Sequence, residues 1–185
     1  PCAALAVFLS CAALGEPAPD APPSLDMPLL AHWTFDGGPA EGVLSDVSGS
    51  AELAARATGG VAEDRGVYGG AVALQGTHAL RVPAFGQPRM RALSLSVWVR
   101  PSDLGGYREL FRQENGDDRI LFSFQQGGEV LSFGLNVGGY MECDAAIDPA
   151  AVLDGNWHHC AATFDGRFLR VFLDGRERGS LERRG

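Results

Sequence analysis

The sequence predicts an all-β domain of two packed antiparallel sheets, or the closely related barrel, on three observations. From residue 29 onward apolar side chains alternate with polar ones at a period of two, the repeat of a strand with one buried face. The alternating runs are separated by Asp-Gly, Asn-Gly and Gly-Gly pairs, which accept the positive φ of tight hairpins. Glycine numbers 25 in 185 residues, about twice ordinary usage and without a collagen repeat, so turns are frequent.

Each element follows from its own pattern. PLLAHWTF sets Leu29, Ala31, Trp33 and Phe35 against Leu30, His32 and Thr34. AVALQ and HALRV form a shorter pair. ALSLSVWVR places Leu93, Leu95, Val97 and Val99 on one face and Ser94, Ser96, Trp98 and Arg100 on the other. RILFSFQ carries Ile120, Phe122 and Phe124; VLSFGLN carries Leu131, Phe133 and Leu135. WHHCAATF and FLRVFLD follow, and the turns Asp165-Gly166 and Asp174-Gly175 bracket the second, so 157–181 reads as three successive strands. DPAAVL at 148–153 suits a helical turn, with Asp148 as cap and Pro149 in first position. Trp33 and Trp157 are expected in the core, whereas Trp98, alternating with serines, suits either the core or an outer face.

Composition narrows the partners. Fifteen basic residues, all Arg, against 23 acidic ones give a net charge of −8. A hydrophobic share of 45% with 21% charge is that of a globular chain. An acidic surface without a block of cations argues against nucleic acid or anionic membrane as the partner.

The N-terminal segment reads differently from the body. Residues 2–14, CAALAVFLSCAAL, are too short to span a bilayer but have the length of a secretory h-region. Phe8-Leu9-Ser10-Cys11 resembles a bacterial lipobox, with Cys11 as the lipidated residue; a cleaved signal peptide fits equally. The expected organisation is an export signal or lipoprotein leader at 1–15, a Pro-rich linker at 16–28, and one folded domain at 29–185 with no transmembrane segment. The location implied is secreted or cell-envelope. If 140–147 and 157–164 pair as a hairpin, Cys143 stands opposite Cys160 at disulfide distance; otherwise both are small buried hydrophobes on separate strands.

The segments LLAHWTFD, SDVSGS, GVYGGAVALQG, LSLSVWVRP, NWHHCAATFDG and FLRVFLDG, in this order over 29–175, resemble the laminin G-like jelly roll of the concanavalin A-like lectin/glucanase superfamily. Cys160 stands where that pattern usually has an aliphatic residue. The resemblance implies a two-sheet antiparallel jelly-roll sandwich. Its pattern continues past SLERRG, so the closing C-terminal strands are expected to be lacking here.

The same resemblance directs attention to sugars and calcium. Retaining glucanases of the superfamily carry Glu-x-Asp-x-x-Glu on one strand, and no such string occurs. Glu142 and Asp144 share a strand face, whereas Glu109 and Glu114 fall on opposite faces. Calcium needs six to eight oxygens, which loops bearing Asp36, Asp46, Asp117 and Asp118 offer; turn capping is the alternative use of these carboxylates. For a sugar, Tyr107, Tyr140 and Trp98 offer stacking surfaces and Asn136 a hydrogen-bonding amide. The expected role is non-catalytic recognition of a glycan or an extracellular protein. An accessory or degenerate glycoside-hydrolase domain and a structural spacer are the alternatives.

Overall fold

The computed structural model describes residues 7–11, 29–36, 42–48, 53–59, 62–82, 92–116 and 118–183. The strands are β1 (Val7–Cys11), β2 (Leu29–Trp33), β3 (Val43–Leu44), β4 (Ala55–Thr58), β5 (Ala62–Arg65), β6 (Gly70–Ala73), β7 (Ala79–Arg81) and β8 (Leu93–Val99). They continue with β9 (Arg108–Asn115), β10 (Asp118–Gln125), β11 (Val130–Asn136), β12 (Tyr140–Ala146), β13 (His158–Phe164), β14 (Phe168–Leu173) and β15 (Arg176–Glu182). Among the described residues no helix is long and apolar enough to cross a membrane.

Two antiparallel sheets form the sandwich. One has the order β15-β14-β13-β8-β1-β2 and the other β12-β11-β10-β9, with smaller sheets β3-β4-β7 and β5-β6 beside them. The period-two runs supply the facing surfaces: Leu93, Leu95, Val97 and Val99 of β8, with Ala162 and Phe164 of β13, join one buried cluster with Phe122, Phe124, Leu131 and Phe133 of the other sheet. Such apolar contact between stacked sheets is the main favourable term in the fold. The 157–181 segment forms three successive strands as expected, with β13 paired to β14 and β14 to β15. Asp148 caps the turn at Pro149–Ala151, its carboxylate accepting from the Ala150 amide at 2.9 Å.

Val7–Cys11, within the segment read as an export leader, form a strand between β2 and β8, with Cys11 opposite Leu93. Val7 and Phe8 are of types enriched in strands; most of 1–15 and all of 16–28 lie outside the described residues. The hairpin that would set Cys143 against Cys160 does not form. β12 pairs with β11, and β13 pairs with β8 and β14, so the chain passes from one sheet to the other between them. Both thiols are free and buried in the core. Burial pushes the Cys143 pKa up to about 11 and that of Cys160 higher still, leaving both as protonated hydrophobes.

Candidate functional site

A cleft of about 390 Å³ lies beside the outward face of the six-stranded sheet, lined by His32, Thr34, Asp36, the 66–71 loop, Trp98 and Trp157. Strand parity builds its walls. Val97 and Val99 point into the core, so Trp98 between them points out. Trp33 is buried, its indole N–H donating to the Leu53 carbonyl at 2.9 Å, so His32 and Thr34 take the other side of β2. Trp157, expected in the core, is half-buried and lines the cleft instead. His158, Cys160, Ala162 and Phe164 take the inner face of β13, which puts their odd-numbered neighbours outside.

The glycines of the GVYGG segment let this wall form. Phe35 adopts a left-handed φ of 61°, which buries its ring and turns Asp36 outward. The backbone of Gly70 lies against the Phe35 carbonyl so closely that a Cβ would overlap it. Gly69 has φ +71°, and a Cβ there would overlap Asp36 Oδ1. Asp36 Oδ1 accepts from the Gly70 amide at 2.8 Å, and Tyr68, 82% exposed, stands at the rim.

Beside the cleft, Trp98 packs on His159 with ring centroids 5.1 Å apart, and the Arg100 guanidinium sits 5.0 Å from the centre of the Trp157 ring. Ser96 Oγ and His159 Nε2 are 2.7 Å apart, the spacing of a nucleophile and its base. Burial pulls the His159 pKa down, keeping the ring neutral. Ser96 sits mid-ladder, opposite Phe8 on one side and Ala161 on the other, so the local amides that would receive an oxyanion belong to the sheet.

One cluster escaped sequence reasoning. His158 is nearly buried, with Nδ1 2.9 Å from Asp174 Oδ2 and Nε2 3.0 Å from Asp154 Oδ1. A neutral imidazole has a single N–H, so satisfying both carboxylates requires the imidazolium. Burial pulls the His158 pKa down, and the two carboxylates outweigh it, leaving the pKa above its ordinary value. The bond to His158 and those from Asn156 bring Asp154 down to about 2. Asp174 also accepts from the His159 amide at 2.9 Å. The trio therefore ties the 152–157 loop, and with it Trp157, to the β14–β15 turn.

The other sequence candidates are dispersed. Tyr107 is 68% exposed and lines a separate cavity of about 1000 Å³ between β7 and β9. Tyr140 lies across Gly134, with the Arg119 guanidinium 4.3 Å from its ring centre and its hydroxyl 3.3 Å from Glu142 Oε1, so it already has neighbours. Asn136 Oδ1 accepts from the Gly139 amide at 3.0 Å, closing the β11–β12 turn. Glu142 and Asp144 share a face of β12, bonded to Gln125 at 3.1 Å and Ser132 at 2.6 Å respectively. Asp46 accepts from the His32 amide at 2.7 Å and the Ser48 amide at 2.9 Å, the turn-capping use of a carboxylate. Asp118 opens β10 opposite Asn115, and Asp117 lies outside the described residues. Among the described residues no three or more His, Cys, Asp or Glu side chains are grouped to hold a metal ion.

Comparison with known proteins adds the family. No curated protein matches the chain. Among solved structures, the mouse laminin alpha1 chain, domains LG4-5, is similar at 24% identity and a TM-score of 0.35, over 51% of this chain and 24% of that one. The binding domain of botulinum neurotoxin DC in complex with SialylT is similar at 14% identity and a TM-score of 0.43, over 78% of this chain and 38% of that one. This chain thus spans well under half the length of either. The Laminin_G_3 family model, described as concanavalin A-like lectin/glucanases superfamily, matches residues 74–185. That match covers β7 to β15 and more than half of the sequence, and the chain belongs to this family.

Proposed function

We propose that the chain is a non-catalytic recognition module for a glycan, exported or held at the cell envelope, with the cleft beside Trp98 and Trp157 as its binding site. The observation that carries the reading is the pairing of two half-buried indoles with a row of polar groups, His32, Thr34 and Asp36, along one cleft. A pyranose presents an apolar C–H face and a rim of hydroxyls, which match such a site. The apolar run 2–14 supports export. Family membership supports a binding module.

The test is a glycan array followed by titration of any hit. Trp98→Ala and Trp157→Ala are each expected to weaken binding about tenfold or more, while Tyr107→Ala changes it little. Binding that survives both tryptophan substitutions, or that is absent from the array altogether, contradicts this assignment. An extracellular protein partner fits the same fold, but the cleft is sized for a small ring system rather than a flat interface.

A further inference from the structure

Asp36 is the one carboxylate among the residues that line the cleft. Asp36 stands with Trp98, Trp157 and Tyr68 around one cavity. Its Oδ1 accepts from the Gly70 amide at 2.8 Å, and Oδ2 has no bonded partner among the described residues. Aromatic faces attract cations through the ring quadrupole, and the Arg100 guanidinium already lies over Trp157, which leaves Trp98 and Asp36 as the groups that would receive a bound cation. His159, packed on Trp98, is held neutral by burial and brings no competing positive charge. The chain as a whole, at −8, draws cations toward it.

We infer that the ring taken by this cleft bears a protonated amine, as in a glucosaminyl unit of a de-N-acetylated glycan, with the ammonium at Asp36 Oδ2 and the sugar face on the indoles. The inference rests on the glycan reading above and narrows it. A hydroxyl or an N-acetyl group can also bond to Asp36, but neither gains from the carboxylate charge and the aromatic quadrupoles together. An ammonium gains from both.

Tryptophan fluorescence titration of the 185-residue chain with glucosamine oligosaccharides and their N-acetylated counterparts tests this. The amine form is expected to bind at least tenfold more tightly, and added salt is expected to erode that preference. Asp36→Asn keeps an oxygen to accept from Gly70 while removing the charge, and is expected to weaken amine binding about tenfold more than it weakens binding of the N-acetylated ligand. Equal affinity for the two sugars, or a preference that survives Asp36→Asn, overturns the inference while leaving the glycan reading intact. Failure of both sugars together with a blank glycan array removes that reading and the inference with it. Should Asp36→Asn fail to fold, the wild-type preference must still vanish once pH deprotonates the amine; persistence there overturns the inference equally.

Discussion

Phe133→Ala is expected to lower the unfolding free energy by about 3–5 kcal/mol in urea titration, among the largest losses for any single truncation in the chain. Phe133 is fully buried on the inner face of β11, opposite Phe122 in the neighbouring strand. The two rings meet edge to face, 6.3 Å between centroids at 85°, an arrangement worth more than the buried area alone. Truncation opens a cavity between two sheets whose backbones are fixed by their ladders, so collapse cannot fill it. The neighbouring Ser132 gives the contrast: it lies on the other face and bonds to Asp144 at 2.6 Å, so Ser132→Ala is expected to cost only about 1 kcal/mol. Similar losses for the two variants would contradict the assignment of faces.

His158→Ala is expected to cost about 2 kcal/mol near neutral pH, through two lost charge-assisted hydrogen bonds at the end of the core. The pH dependence is the more telling readout. The folded pKa of His158 lies above its ordinary 6.5, so its stabilisation is complete below about that pH and is lost as pH rises through the folded value. Asp154 is brought from 3.8 down to about 2, so its contribution is present above about pH 4 and is lost as pH falls toward 2. The stability difference between wild type and His158→Ala should therefore form a plateau in mildly acidic solution and shrink on both sides. A difference that stays constant from about pH 6 to about pH 10 would show that the imidazolium is not the form holding the two aspartates.

The pattern of one buried face was readable in β8, β13 and β14, because each has a strict alternation and a solvated outer side. β10 and β11 were harder. Leu121, Ser123 and Ser132 are buried although they alternate with the core-facing residues of their strands. Ser123 accepts from Gln125 two residues along β10, whereas Ser132 bonds to Asp144 of the next strand, a contact that no single strand records. Sheet membership was not readable at all at the β12–β13 link, because local alternation is the same whether a strand pairs with its predecessor or crosses to the opposite sheet. That is why Cys143 and Cys160, opposite each other in a notional hairpin, belong to different sheets.

The site shows the same division. Trp157 is expected in the core, yet the alternation that buries His158, Cys160, Ala162 and Phe164 places it outward. Parity was the better guide than hydrophobicity. Asp46 carries the cap that its turn sequence suggests, accepting from the Ser48 amide, whereas the Asp36 carboxylate bonds across the chain to Gly70. The Asp154–His158–Asp174 trio spans 20 residues and two turns and depends on β13 and β14 lying side by side. Its residues are ordinary in the sequence, and only the pairing brings them together.

The most direct measurement is a crystal structure of the chain with a glucosamine oligosaccharide bound. A sugar ring against Trp98 and Trp157, its amine within hydrogen-bond reach of Asp36, is the expected result. A sugar seated instead on the β12 face around Tyr140, or bound only through the loop bearing Tyr107, would contradict the account.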